Sequence, residues 1–274
     1  MIHTSVLHWS VIFISFLCSG AAAAGQYQHN INVFAQYTDA HFVELDNEGD
    51  PLNEEDGSLL FSGLGFYWQF DSGLFTEISY KAAGSDLTYR GLSQWGFFIE
   101  SETEYFIRDT YVLLGRQFDL SGVYMGLGNG YRERNIIGKN IAPGVNIAGI
   151  YEELNSTYGI FGLQLNLLAN RPFQIRFDGR ISADLKSDLY VVSGEYDPAT
   201  IKPGKQLTAM GSVEFLFKLG AGLTLSFIPR YEYVHIDKSD SFLTYQNGQH
   251  ADSMHHPETE YETLSLGTKL SWYF

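Results

Sequence analysis

Cysteine is almost absent. Cys18 is the one cysteine in 274 residues, and it falls in an N-terminal stretch that reads as a cleavable leader. The mature chain is therefore expected to carry no thiol, which excludes disulfides, iron–sulfur clusters and cysteine nucleophiles. Basic residues are few: 17 Lys and Arg stand against 32 Asp and Glu, a formal net charge of −15. Nucleic acid, which needs a basic surface, is excluded as a partner. Long apolar runs are missing as well. Nothing after the leader offers about eighteen uncharged apolar residues, so no membrane-spanning helix is expected.

The leader itself runs from an apolar core, Val11 to Leu17, to the small residues Ala21-Ala22-Ala23-Ala24, the order a signal peptidase reads. Residues 1–24 are expected to be removed, leaving 25–274 as a single domain. The n-region departs from the usual pattern, with His3 and His8 but no Lys or Arg. Leu17 stands where a lipoprotein signal would place a small residue before its cysteine.

Aromatic residues are abundant, at 15% of the chain with 18 Tyr and 20 Phe. They sit within stretches that alternate apolar and polar residues, the period of an extended strand. In 173–185, Gln174, Arg176, Asp178, Arg180, Ser182 and Asp184 share one face, and Phe173, Ile175, Phe177, Gly179, Ile181, Ala183 and Leu185 the other. The last residues repeat the pattern. Leu264, Leu266, Leu270, Trp272 and Phe274 lie opposite Ser265, Gly267, Lys269, Ser271 and Tyr273. Short turn-forming separators (Asp71-Ser72-Gly73, Asp119 to Gly122, Ala169 to Pro172, Leu219 to Gly222) alternate with polar separators of roughly twenty residues, as in barrels with tight turns at one end and long loops at the other. Ten strands are expected, at 27–38, 58–70, 73–86, 104–118, 121–133, 156–168, 172–186, 206–219, 222–237 and 259–274. Eight or twelve remain open because 134–155 is ambiguous.

A terminal amphipathic strand ending on Phe274, the leader and the loop asymmetry together resemble the small bacterial outer-membrane β-barrel proteins, the broad opacity- and porin-like class. The resemblance implies an all-β, antiparallel, up-and-down transmembrane barrel with both termini periplasmic. Its apolar faces would meet lipid and lipopolysaccharide, and Leu270, Trp272 and Phe274 would form the signal read by the barrel-assembly machinery. The alternative is a soluble sandwich, in which the same apolar faces would form a dry core.

Within a barrel, the charged faces point into the lumen. Glu77, Lys81, Arg176, Asp178, Arg180, Glu214, Lys218, Arg230 and Glu232, with Asp184 and Lys269, are the candidate lumen charges. Charges confined in so narrow a space must pair or stay hydrated. They either fill the lumen as a network or line a narrow solute path. Gly126, Gly128 and Gly130 fall on the same inward face, leaving room for large neighbours or for a ligand.

Other constellations are weaker. The acidic first loop, with Asp39, Glu44, Asp46, Glu48, Asp50, Glu54, Glu55 and Asp56, offers hard oxygen ligands, and Asp46, Glu48, Asp50 and Glu54 are the candidate divalent-cation set. The EF-hand spacing is broken by Pro51. His250, Asp252, His255 and His256, with His235 and Asp237, supply groups suited to zinc or to acid–base chemistry. Arg90, Arg132 and Arg134 are candidates for lipopolysaccharide phosphate. His235 and Asp237 share a residue inventory with the omptin proteases, and His235 with Ser239 or Ser241 with the lipid A deacylases, but neither family's motif is present. No cofactor is expected. The leading expectation is a non-enzymatic barrel for surface interaction, adhesion or envelope integrity. A narrow solute channel comes second and an outer-membrane hydrolase third.

Overall fold

A computed structural model describes residues 29–274 apart from 47, 93–97, 143–144, 168–171 and 195. The leader, Cys18 and most of the Ala169–Pro172 turn lie outside the described residues. Among the described residues, fifteen strands follow in order. Five precede the ambiguous region: β1 (His29–Leu45), β2 (Pro51–Gln69), β3 (Leu74–Leu92), β4 (Phe98–Gln117) and β5 (Ser121–Ile136). Then come β6 (Lys139–Ala142), β7 (Val145–Ile147), β8 (Ile150–Leu167), β9 (Phe173–Ser193) and β10 (Tyr196–Ile201). The last are β11 (Gln206–Gly220), β12 (Leu223–Ile236), β13 (Phe242–Gln246), β14 (Gln249–Met254) and β15 (Glu258–Tyr273).

Ten of these, β1 to β5, β8, β9, β11, β12 and β15, form a closed antiparallel barrel. Closure runs through β1 and β15, with Ile31 opposite Trp272 and Val33 opposite Leu270. The ambiguous 134–155 segment contributes the end of β5, the small β6–β7 hairpin and the start of β8. Ten is thus the barrel count, and the added pairs β6–β7 and β13–β14 stand apart from the wall.

The strand ends at the short turns fall within two residues of expectation, but the opposite ends run as much as seven residues further. Much of what reads as long loop is wall. Strands β4 and β9 have 20 and 21 residues, about twice what a tilted strand needs to cross hydrocarbon.

The polarity of the wall explains this. Near the short turns the apolar face points outward: Leu264, Leu266 and Leu270 are exposed on β15, while Ser265 and Ser271 are buried inside. Further along, the sides exchange. On β4, Glu100, Glu102 and Glu104 are exposed and alternate with buried Ile99, Thr103 and Tyr105. On β1, Val33 and Tyr37 point outward, then Asp39 and His41, while inside Gln36 and Thr38 give way to Ala40 and Phe42. The lower barrel is apolar outside and polar inside; the upper barrel is built like a water-soluble one. A bulge helps the change on β9, where Thr157 pairs with Lys186 and Tyr158 with Asp184. Leu185 is skipped, so below it the even-numbered residues face inward, and above it Ser187 and Leu189 do.

Candidate functional site

The lower lumen is a cavity of about 970 Å³, reached from the short-turn end, where Gly73, Asp119, Ala221 and Gly222 line its mouth. Ten of the eleven lumen charges drawn from the alternation line it, all but Asp184. They fall into local groups. Lys269 Nζ lies 2.6 Å from Glu214, and Arg176 approaches the same carboxylate at 3.4 Å. Arg180 pairs with Asp178 at 3.2 Å and stacks over the Tyr111 and Tyr124 rings. The Tyr124 hydroxyl donates to Asp178 and the Tyr111 hydroxyl to Glu77. Lys81 lies 3.7 Å from Asp109, which also accepts from Tyr158, and Arg230 donates to Gln36 at 3.0 Å. Lys218 is exposed towards the short turns, and Glu232 lines the upper cavity wall. Partly buried charges of both signs, held by ion pairs and hydrogen bonds, form this network.

Of the three inward glycines, Gly126 lies against the Val112 carbonyl and Leu113, and Gly128 makes room for the network. A Cβ on Gly128 would overlap the Tyr158 ring, and one on Gly130 would crowd Ser156. Gly162 makes the same room for Tyr124. Gly128→Val is expected to displace Tyr158 from Asp109 and to cost about 1–3 kcal/mol. The measurement is the guanidinium midpoint of the barrel in lipid vesicles; an unchanged midpoint would show that the ring does not depend on this gap.

Higher in the lumen the lining turns apolar. Phe42, Leu59, Phe61, Ala83, Leu87 and Tyr105 form one buried cluster, with Ile107 and Tyr261 packed against it. The Phe42 ring stacks on Tyr105 at 5.4 Å and meets Tyr261 at 4.9 Å. Leu154, Leu189 and Ile201 fill the side towards β8 and β9.

A charged clasp also ties this upper part of the lumen. Arg134 on β5 reaches across to Glu44 of β1 at 2.6 Å and Glu55 of β2 at 2.8 Å, and sideways to Glu152 of β8 at 2.9 Å. Glu55 also accepts from the Thr103 and Tyr105 hydroxyls, and Glu44 from the Asn53 amide. Burial alone would raise the Glu44 carboxyl; the charges of Arg134 and His256 and the Asn53 amide outweigh it and hold it at about 2. The Tyr105 hydroxyl is pushed well up by burial and by the Glu55 charge beside it.

The chain resembles the outer-membrane protease OmpT from Escherichia coli, with a TM-score of 0.60 and 10% identity over 90% of this chain and 96% of that one. The fold is that of an outer-membrane β-barrel. Two further barrels align less closely: the translocator domain of the autotransporter NalP from Neisseria meningitidis (TM-score 0.48, 8% identity, 98% and 96% covered) and neisserial surface protein A (0.34, 8%, 87% and 95%). No family model and no curated protein matches. At these identities the likeness is one of fold.

In this barrel the other sequence candidates scatter. Arg132 and Arg134 share the inward face of β5, and Arg134 is buried in the clasp, which removes it from any phosphate outside. Arg90 stays on the outer face, 3.2 Å from Asp56. The acidic first loop shrinks to residues 46–50. Asp46, Glu48 and Asp50 lie together there, but one Asp46 oxygen already accepts from the Glu48 and Asp50 amides at 2.8 and 2.9 Å. Those amides lower the Asp46 carboxyl below its ordinary range. Glu54 stands outside the trio, on β2.

The histidines separate as well. His250 is exposed on β14, while His256 is buried, its amide donating to Ser239 Oγ at 2.7 Å. Ser239 Oγ in turn donates to the Asp240 carbonyl, so this serine is committed to the loop. His235 stands on the outer wall of β12 beside Asp237, Glu258 and Glu260. Leu270, Trp272 and Phe274 lie along the outward face of β15, with Trp272 against Phe274.

Proposed function

We propose that this protein is a sealed outer-membrane barrel that works through its acidic outer wall and rim, in surface interaction or envelope integrity, and not as a conduit. The packing of the upper lumen carries this reading: an apolar cluster of β1 to β4 and a buried clasp from β5 to β1 and β2 fill space that a conduit would need open. The wall above the apolar belt supports it, with Asp39, Asp86, Glu100, Glu102 and Glu104 exposed. In this reading both termini are periplasmic and the cavity opens to the periplasm. The assembly machinery reads Leu270, Trp272 and Phe274. Lipid surrounds the belt, and lipopolysaccharide with its bridging divalent cations meets the wall above it.

The test is planar-bilayer recording of the purified barrel. No unitary steps are expected from the parent at moderate voltage. Resolved, ion-selective steps in the parent would overturn the sealed reading in favour of a narrow channel. A second measurement tests the wall: replacing Glu100, Glu102 and Glu104 together with Gln is expected to weaken divalent-dependent binding to lipopolysaccharide-containing vesicles, with the barrel still folded.

A further inference from the structure

The outer wall of β12 and β15 carries a side-chain cluster that neither the cavity nor the clasp uses. His235 and Glu260 are directly opposite each other across these strands, and Glu258 follows two residues away on the same face. His235 Nδ1 lies 3.3 Å from Glu260 and 3.7 Å from Glu258. One donor atom from each of the three falls within 4.8 Å of the others. Two bonds of about 2.1 Å at a tetrahedral angle separate their ligand atoms by about 3.4 Å, so these spacings are those of zinc ligands with little adjustment.

The far side of the ring fits as well. His235 Nε2 is 3.1 Å from Asp237. With the proton on Nε2 donated to Asp237, the Nδ1 lone pair is left facing two carboxylates. A carboxylate holding the remote nitrogen of a metal-bound histidine is the usual outer partner of such sites. The Tyr233 hydroxyl donates to Glu260 at 2.7 Å and steadies the second ligand. The cluster stands on two hydrogen-bonded strands, which hold ligands more firmly than a loop does.

We propose that His235, Glu258 and Glu260 form a surface site for a divalent transition metal of the zinc class, oriented by Asp237, with a fourth coordination position open to water. Imidazole with two carboxylates suits zinc better than calcium or magnesium, which favour oxygen alone. Sequence spacing does not reveal the site, because Glu258 and Glu260 meet His235 only through the β12–β15 register.

The test is calorimetric titration of Zn2+ into the detergent-folded barrel, with the parent compared with three variants. One saturable site per chain is expected in the parent, lost in His235→Ala. Asp237→Asn is expected to weaken it about tenfold to a hundredfold, and Glu258→Gln to weaken it measurably. Ca2+ at the same concentration should not compete. All three side chains point away from the barrel interior, so unheated gel mobility should match the parent and confirm folding. A parent isotherm no different from that of His235→Ala, or competition by Ca2+ at equal concentration, overturns the proposal. The first result leaves the ring hydrogen-bonded to its carboxylates, and the second leaves a hard-cation site made by the carboxylates alone.

Discussion

Arg134→Met is expected to destabilise the folded barrel by about 3–5 kcal/mol, the usual consequence of leaving buried charges without their partner. The loss is large because one guanidinium serves three carboxylates, and Arg134 and Glu55 are nearly inaccessible to water. The guanidinium midpoint in vesicles measures it. Removing the carboxyl charges as well, with Glu44→Gln, Glu55→Gln and Glu152→Gln on the Arg134→Met background, should recover most of the loss. A single variant within about 1 kcal/mol of the parent would mean that water reaches the clasp.

The same clasp sets an acid limit. Glu44 is held at about 2 against an ordinary 4.5. Its folded-state value is depressed, so its contribution is complete above about pH 4.5 and declines as pH falls towards 2. Stability should therefore drop between those limits in the parent and drop less in Glu44→Gln. Equal slopes in the two proteins would refute the assignment.

The second large effect concerns which side of the wall meets lipid. Leu163 is exposed at the middle of the apolar stretch of β8, between Phe161 and Leu165. Leu163→Arg should cost about 2–4 kcal/mol, because an arginine at the bilayer midplane has no water within easy reach. Asn155→Arg provides the control, being on the same strand and the same face but above the belt. It should cost about 0–1 kcal/mol. Equal costs at the two positions would place both in water and end the lipid-facing assignment.

How much of this was legible in the sequence follows from the same boundary. Within the belt, outward lipid and inward water impose a strict period of two, so the short turns, the strand ends beside them and the lumen residues Arg176, Asp178 and Arg180 could be read directly. Above the belt the code is reversed, and stretches such as Asp39 to Asp56 look like polar loop. Their buried members went unseen: Glu44 and Glu55 counted only as acidic loop residues, and Arg134 as an outside phosphate contact. One signal was available. The even-numbered face of β1 runs from Asn30 through Gln36 and Phe42 to Glu44 without a break, and following it upward leads to the clasp. The joining of Glu44, Glu55, Arg134 and Glu152 from four strands required the closed barrel itself.

The exchange of polarity partway up the wall also fixes how deep the molecule sits. Strand residues advance about 3.3 Å each, so sinking by two residues would carry Glu104 and Glu153 towards oil, while rising as far would lift Phe274 and Trp272 out of it. Either displacement is opposed at once on every side of the cylinder. The chain thus carries its own waterline, and a bilayer thinner or thicker than the belt would have to deform to meet it.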